Sequence, residues 1–572
     1  MRQRWVGGAG ASACQASLVE ALRITPLTAR ILAHRGLTDA AGARRFLHPA
    51  FEDLHDPLLM LGMSAAVERL ERAIAGREKI LIYGDYDVDG TTSVVILTKA
   101  IEIASGAASY YIPHRLKDGY GLRSEAVEAA AAAGVGLIVS VDTGIRAAEA
   151  VRRANELGID VIVTDHHLPE TELPPALAVL NPNRPGCPYP EKNLCGAGVA
   201  FKLVQALLER LRWPATKLRA YGESFLKLAA IATVADVVPL TGENRVIVSH
   251  GLAGLGDVRN PGLRALLDVA GFTNGRVPTA RQVAFQLAPR INAAGRMDHA
   301  QAAVEMFLTA DPARARELAQ HLHAQNTERQ QIEAEVREIC EKAEVDPSAA
   351  ALVYYSEEWH RGVLGIVASR LVERLHRPVF VLARNPEDGL AQGSGRSIPA
   401  FHLLDALASM ADLFVRFGGH SHAAGVTLEP ARVKEFRTRF HACAAAQLKP
   451  EDFQPELALD AVLELRELND RSIREIFGLS PFGHGNPPPM LAALNVEVSG
   501  PPALWKEKHL KVLVRQNGRT LALKAWNFAE RTPELPSGAR VDIAFQVEED
   551  AYTGWSAVLR DVRGAGAREA AV

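Results

Sequence analysis

The chain has 572 residues, 48% of them hydrophobic and 23% charged, enough apolar material for large cores, which excludes a disordered or fibrous chain. A formal net charge of −3 excludes a globally basic nucleic-acid binder, so any electrostatic footprint has to be local. The five cysteines (Cys14, Cys187, Cys195, Cys340, Cys443) form neither a disulfide framework nor a paired zinc motif, and the chain has no apolar run of about 18 residues. The expectation is a soluble, cytoplasmic protein without membrane association, built of about four units at roughly 100 to 200 residues per domain.

Residues 1–50 read as an N-terminal helical segment, and Ala65 to Ala75 repeats its apolar positions at helical spacing. From Lys79 the pattern changes to an apolar run, a polar turn and a helical stretch: KILIYG, DYDVDG, TTSVVILTKAIEIA. VGLIVSV followed by DTG, and DVIVT followed by DHH, repeat the first two steps. Strands alternating with helices predict a parallel sheet with right-handed crossovers, whose ligands lie beyond the carboxyl ends of the strands. The charged segment from Asp311 to Glu344 lacks glycine and carries only Pro312 at its start, so it predicts one long helix bridging two domains. A second, smaller α/β pattern follows (AALVYYS, GIVASRLVERL, PVFVLA). From Leu457 short β-rich runs between turns predict an all-β barrel or sandwich. The expected organisation is 1–50 helical, 51–310 α/β, 311–345 connecting helix, 346–450 smaller α/β and 451–572 all-β.

Asp85, Asp87 and Asp89 crowd one turn after an apolar strand, which mutual repulsion disfavours unless a cation or strong donors compensate. Alone they read equally well as a solvated turn or a helix cap. Asp142 follows a second strand, and Asp165, His166 and His167 follow a third, so three strand ends converge on one crevice. Asp236 lies in the apolar run SFLKLAAIATVADVVPL, where an unpartnered carboxylate would cost several kcal/mol. Carboxylates with one or two imidazoles and no thiolate suit Mn²⁺ or Mg²⁺ better than structural zinc. Two ions about 3.5 to 4 Å apart, bridged by Asp142, would serve hydrolysis of a phosphoric ester or anhydride.

The runs YGDYDVDG (83–90), VDTG (141–144), TDHH (164–167) and AD (235–236) resemble, in order and context, the four motifs of the DHH phosphoesterase superfamily. PRINAAGR (289–296), GGHSHAAG (418–425) and RRFLHPAFEDLHDP (44–57) resemble its bacterial branch of single-strand-specific DNA exonucleases, over nearly the whole chain. Tyr83 stands where the pyrophosphatases and oligoribonucleases of the superfamily carry a histidine. The resemblance implies a DHH domain, a long helix, a DHHA1 domain and an OB-fold barrel. It implies Asp87, Asp89, Asp142, His166 and Asp236 as metal ligands, Asp85 orienting water or a ligand, and His167 facing the scissile phosphate. Asp165 is expected to hold a ring nitrogen of a ligating histidine.

The loop arginine Arg115, and Ser394 with Arg396 in GSGRS, are candidates for gripping a terminal 5′-phosphate, although a single loop arginine more commonly faces water. Arg290, Asn292 and Arg296 are candidates for strand phosphates. Gly418, Gly419, His420 and His422 are expected on the opposite wall of a passage between two domains, too narrow for duplex. In the β-rich tail Trp505, Lys506, Lys508, His509, Lys511, Arg515, Lys524 and Trp526 interleave rings with cations as a single-strand binder requires, though tryptophan in a small barrel is commonly core. The expected activity is 5′-to-3′ degradation of single-stranded DNA to 5′-mononucleotides in repair, recombination and mismatch repair. A monomer is expected, with a single-strand-binding protein and a helicase as partners. The rivals are a DHH hydrolase of cyclic dinucleotides or very short RNA, and a nucleic-acid scaffold with a decayed site.

Overall fold

The apolar runs after Lys79 form five strands: β1 (Ile80–Tyr83), β2 (Ala108–Tyr111), β3 (Leu137–Val141), β4 (Asp160–Thr164) and β5 (Ala178–Leu180). They belong to a computed structural model of the chain that describes residues 3–8, 14–115, 118–343, 346, 348–550 and 552–566. The spatial order is β2-β1-β3-β4-β5, and every pairing is parallel. Side chains alternate across the sheet. Ile80, Ile82, Leu137 and Val139 face a core with α1 (Val88–Ile103), α2 (Gly196–Arg210) and α3 (Ala215–Ala235), while Ile138, Val161 and Val163 face Val127 and Val151 of two shorter helices. Helices on both faces explain why β3 is apolar along nearly its whole length. From β1 the chain crosses one way to β2 and then returns past β1 to β3, so the strand order reverses beside β1. A crevice opens beyond the strand ends at such a reversal.

Further helices complete this unit, among them α4 (Gly242–Gly254) and α5 (Ala288–Met297), and the long helix expected from Asp311 is found as α6 (Pro312–Lys342). Glu344 and Val345, at the expected end of that helix, lie outside the described residues. The described residues fall into two compact units. Ser12–Asn326 and Asp470–Pro488 make one, and Met1–Ala11, Thr327–Asn469 and Pro489–Val572 the other.

In the second unit the expected smaller α/β pattern is the sheet β6 (Leu352–Ser356), β7 (Val379–Arg384), β8 (Ala391–Arg396), β9 (Arg416–Gly419) and β10 (Ala423–Leu428), with α7 (Leu364–Leu375) between β6 and β7. Its order is β9-β10-β8-β7-β6, with only β6 and β7 parallel. Phe380, Phe401, Phe436 and Phe440 interlock in its core. The β-rich tail forms β11 (Leu491–Val498), β12 (His509–Gln516), β13 (Arg519–Ala525), β14 (Arg540–Asp550) and β15 (Gly554–Gly564). Their order, β11-β14-β15-β13-β12, closes because Val514 of β12 pairs with Val498 of β11. The result is a five-stranded barrel of the OB type. The strand Arg4–Gly7 pairs with Glu456–Leu459, and the Trp5 indole donates to Asp561 at 2.7 Å. No described helix is long and apolar enough to cross a membrane.

Candidate functional site

Three strand ends and a helix end meet beside β1. The turn after β1 carries Asp85 and Asp87, and the Asp87 carboxylate caps α1 by accepting from the Gly90 amide at 3.0 Å. Asp89, in the first turn of α1 and buried, accepts from the Gly196 and Ala197 amides at 2.5 and 2.7 Å, so the N-terminus of α2 holds it. β3 leads into Asp142, whose φ of 59° places a non-glycine residue in the left-handed region, a strain that collects at functional sites. Position 196 has to be glycine beneath it, because a Cβ there would stand 2.6 Å from the Asp142 Cβ. β4 leads into Asp165, His166 and His167, and α3 delivers Asp236 as its C-cap. His166 Nε2 lies 3.2 Å from Asp142 Oδ1, 3.7 Å from Asp236 Oδ2 and 3.8 Å from Asp89 Oδ2.

Without a cation this crowd is electrostatically unfavourable. Burial first, and then the neighbouring carboxylates, raise the pKa of Asp85 and Asp142 well above the carboxylate range, and push Asp236 up to about 9. Asp89 is raised by burial although His166 and two amides oppose the shift. Burial lowers His166, which favours the neutral imidazole a ligand needs. Asp85 Oδ1, Asp142 Oδ1 and His166 Nε2 are buried and accept or donate no hydrogen bond. The donor atoms form three overlapping sets, each within 4.8 Å: Asp85, Asp87, Asp142; Asp89, His166, Asp236; and Asp142, His166, His167. Hard oxygen donors, a neutral imidazole and orphaned lone pairs fit a pair of divalent cations of the Mn²⁺ or Mg²⁺ kind, with Asp142 and His166 shared between sets.

Asp165 departs from its expected task. Its Oδ1 contacts His167 Nδ1 at 2.8 Å and accepts the His166 and His167 amides, while Oδ2 accepts from Ile145. It therefore holds His167 and not the candidate ligand His166, because adjacent residues after a strand point to different sides and one carboxylate reaches only one ring. Burial works against the His167 imidazolium, but Asp165 outweighs it and holds the pKa above its ordinary value. Tyr120 is a member of the site that no motif marks. Its phenol donates to the Asp142 carbonyl and meets His167 Nδ1, both at 3.1 Å, with the rings 5.4 Å apart. Tyr83, singled out as a substituted position, is buried, and its hydroxyl donates to Gly121 next to Tyr120.

The substrate candidates divide between the two units. Arg115 lies over the Tyr86 ring at 4.8 Å and acts on the Asp85 charge. Asn292 of α5 accepts from the Val88 amide at 3.1 Å, which pins α5 to the Asp85–Asp89 turn, and Arg296 on the same helix acts on Tyr86. Arg290 is half-buried and donates to Gln286 of its own helical run. In the other unit Ser394 and Arg396 sit on β8, where Gly365 in the first turn of α7 leaves room for both. Gly418 and Gly419 lie on β9, and His420 and His422 in the turn to β10. The Gly419 φ of 144° explains the glycine there, whereas a Cβ at Gly418 would meet nothing within 4 Å. In the barrel Trp505, His509 and Trp526 cluster with centroids 4.9 to 5.6 Å apart, and Trp526 is 39% exposed. Lys506 and Lys511 approach the Trp505 ring at 5.3 and 5.4 Å, while Arg515 and Lys524 are paired with Glu497 and Asp550.

Comparison with known proteins gives matches to the DHH family, N-terminal domain, over residues 79–233, to the DHHA1 domain over 348–446 and to the RecJ OB domain over 459–559. The single-stranded-DNA-specific exonuclease RecJ of Bacillus subtilis (strain 168) is 41% identical over 532 residues, covering 92% of this chain and 66% of that protein. This chain thus spans about two thirds of that relative's length. The protein of the same description from Escherichia coli (strain K12) is 37% identical over 555 residues, covering 93% of this chain and 94% of that one. The crystal structure of RecJ in complex with Mn²⁺ from Thermus thermophilus matches with a TM-score of 0.84 and 34% identity, over 100% of this chain and 81% of that one.

Proposed function

Since the chain belongs to the RecJ family of single-stranded-DNA-specific exonucleases, we propose that it degrades single-stranded DNA from the 5′ end to 5′-mononucleotides, in DNA repair and recombination. The observation that carries this reading is the series of donor sets linked through Asp142 and His166 at the reversal point of the sheet. Asp87, Asp89, Asp142, His166 and Asp236 are the proposed metal ligands. Bound there, two Mn²⁺ or Mg²⁺ ions lower the pKa of water toward neutrality and neutralise charge building on the phosphoryl oxygens.

The chain's own groups do the rest. Asp85, with one buried oxygen free of hydrogen bonds, orients the attacking water or a ligand. His167, held by Asp165, which favours its protonated form, turns its other ring nitrogen to the scissile phosphate. Arg115 in one unit, and Ser394 with Arg396 in the other, are the proposed candidates for the terminal 5′-phosphate, whose recognition would set the polarity. Arg290, Asn292 and Arg296 position strand phosphates, and Gly418, Gly419, His420 and His422 border the strand. The aromatic and lysine cluster of the barrel offers rings and cations of the kind a single strand stacks on. The protein acts as a cytoplasmic monomer, supplied with single strands by a helicase and a single-strand-binding protein.

The test is a time course with purified protein, Mn²⁺ and a 3′-labelled, 5′-phosphorylated single strand, beside the blunt duplex and a cyclic dinucleotide. A shrinking ladder is expected from the single strand alone, silent in EDTA. Turnover of the dinucleotide alone would overturn the proposal.

A further inference from the structure

Asp236 ends α3 and enters the turn Val237-Val238-Pro239-Leu240 before α4. That turn is strained. Val237 is β-branched, 63% exposed and held at φ 60°, a region such residues avoid. A carboxylate at the mouth of a strained turn keeps its place only if the turn is fixed from outside.

The fixing group comes from far along the chain. The segment Asp470–Pro488, which precedes the first long barrel strand in sequence, packs within the catalytic unit. Its tight turn Gly483–Asn486, closed by hydrogen bonds in both directions, lies against the Asp236 turn. The Leu240 amide donates to the His484 carbonyl at 2.7 Å. On the other side the Asn244 side chain donates to the Pro239 carbonyl at 3.2 Å, and also to Asn193 at 2.6 Å, close to the α2 amides that hold Asp89. Both glycines of the turn are in close approach. A Cβ at Gly483 would stand 2.6 Å from Leu240 Cδ1, and one at Gly485, where φ is 70°, would stand 2.8 Å from Pro239 Cβ.

The segment is in turn clamped. Arg245, 1% exposed and on α4 just beyond the Asp236 turn, spends its guanidinium on main-chain carbonyls. It donates to the Leu479 and Ser480 carbonyls at 3.0 and 2.7 Å and to Phe46 at 2.5 Å. Asn486, fully buried, donates to Leu479 and Pro481 at 2.9 and 2.8 Å. Burying a guanidinium in this way is costly, and here it fixes one loop in one place.

We propose that the Gly483–Asn486 turn is a brace that sets the position of Asp236, and so the affinity of the metal centre, making this distant segment a positioning element of the active site. The inference rests on the metal-ligand reading above. Groups that orient a ligand from outside typically change metal affinity about 10- to 100-fold when removed, and a brace acting through four residues belongs at the lower end.

The test is calorimetric titration of Mn²⁺ into full-length wild type, Gly483→Val, Gly485→Val and Arg474→Ala, with a melting curve in EDTA for each. Gly483 has an ordinary backbone conformation, so its substitution strains no dihedral, and Arg474 is an exposed control on the same segment. The brace predicts Mn²⁺ binding weakened about tenfold in both glycine variants, in the fraction that is folded, and wild-type binding in Arg474→Ala. Wild-type Mn²⁺ affinity in folded Gly483→Val would overturn the brace even if Gly485→Val failed to fold. Failure of the wild type itself to bind Mn²⁺ would instead overturn the metal centre on which the brace depends.

Discussion

Replacing Asp236 by asparagine should make the metal-free protein more stable while destroying its activity. In the folded chain burial, followed by the Asp89 and Asp87 charges, moves this carboxyl from 3.8 to about 9. Unfolded, it loses its proton near pH 4, so between these values the folded state binds one more proton, and stability falls as pH rises through that window. Each pH unit costs about 1.4 kcal/mol, which amounts to about 4 kcal/mol at pH 7. Asparagine keeps the size and removes the titration. Denaturation in EDTA should therefore find Asp236→Asn more stable than wild type by about 4 kcal/mol at pH 7, with the two converging toward pH 4. Saturating Mn²⁺ should reverse the order, because ions that bind only the folded state stabilise the chain that holds them better. Equal stabilities in EDTA at pH 7 would refute the view that this carboxylate is held against its charge for a cation.

Three other substitutions separate the remaining roles. Tyr120→Phe removes the hydroxyl from His167 and the Asp142 carbonyl, and should lower kcat about three- to tenfold at constant KM for DNA; an unchanged kcat would free His167 from this support. Arg396→Ala should reduce the preference for a 5′-phosphorylated over a 5′-hydroxyl end about tenfold in competition assays, and an unaltered ratio would remove it from the end pocket. Trp526→Ala should weaken single-strand binding by about 1 to 3 kcal/mol in fluorescence titrations while leaving hydrolysis of a short, linear 5′-phosphorylated single strand intact. Loss of both activities together would point to a folding role for that ring.

The acidic centre is readable in the sequence because Asp85, Asp142 and Asp165 each come just after an apolar run whose length and β-branched content mark a strand, and parallel strands deliver their carboxyl ends to one side, whereas Asp236 ends the apolar helix α3. The long helix and the barrel are readable for similar reasons of period and punctuation. What escapes lies in pairings that no local pattern encodes. Tyr120 sits in a loop and reaches His167 across 47 positions, and nothing in YYIPHRLKDGYG distinguishes it from Tyr110 or Tyr111. Asp165 is expected beside His166, but which of two adjacent rings a carboxylate holds depends on how the strand end twists. The turn at Gly483 meets Leu240 across more than 200 positions, and only its run of glycine and proline marks it as a turn. Tryptophan in a small barrel is commonly core, but the half-exposed Trp505–Trp526 pair belongs to the surface.

The proposed chemistry depends on three strand ends and the end of α3 building one centre for two ions. Anomalous scattering at the manganese absorption edge, from crystals grown with Mn²⁺, measures that directly. Two peaks are expected about 3.5 to 4 Å apart, one toward Asp85 and Asp87 and the other toward Asp89 and Asp236, with Asp142 reaching both. A single peak, or peaks away from Asp142, would contradict the two-ion centre.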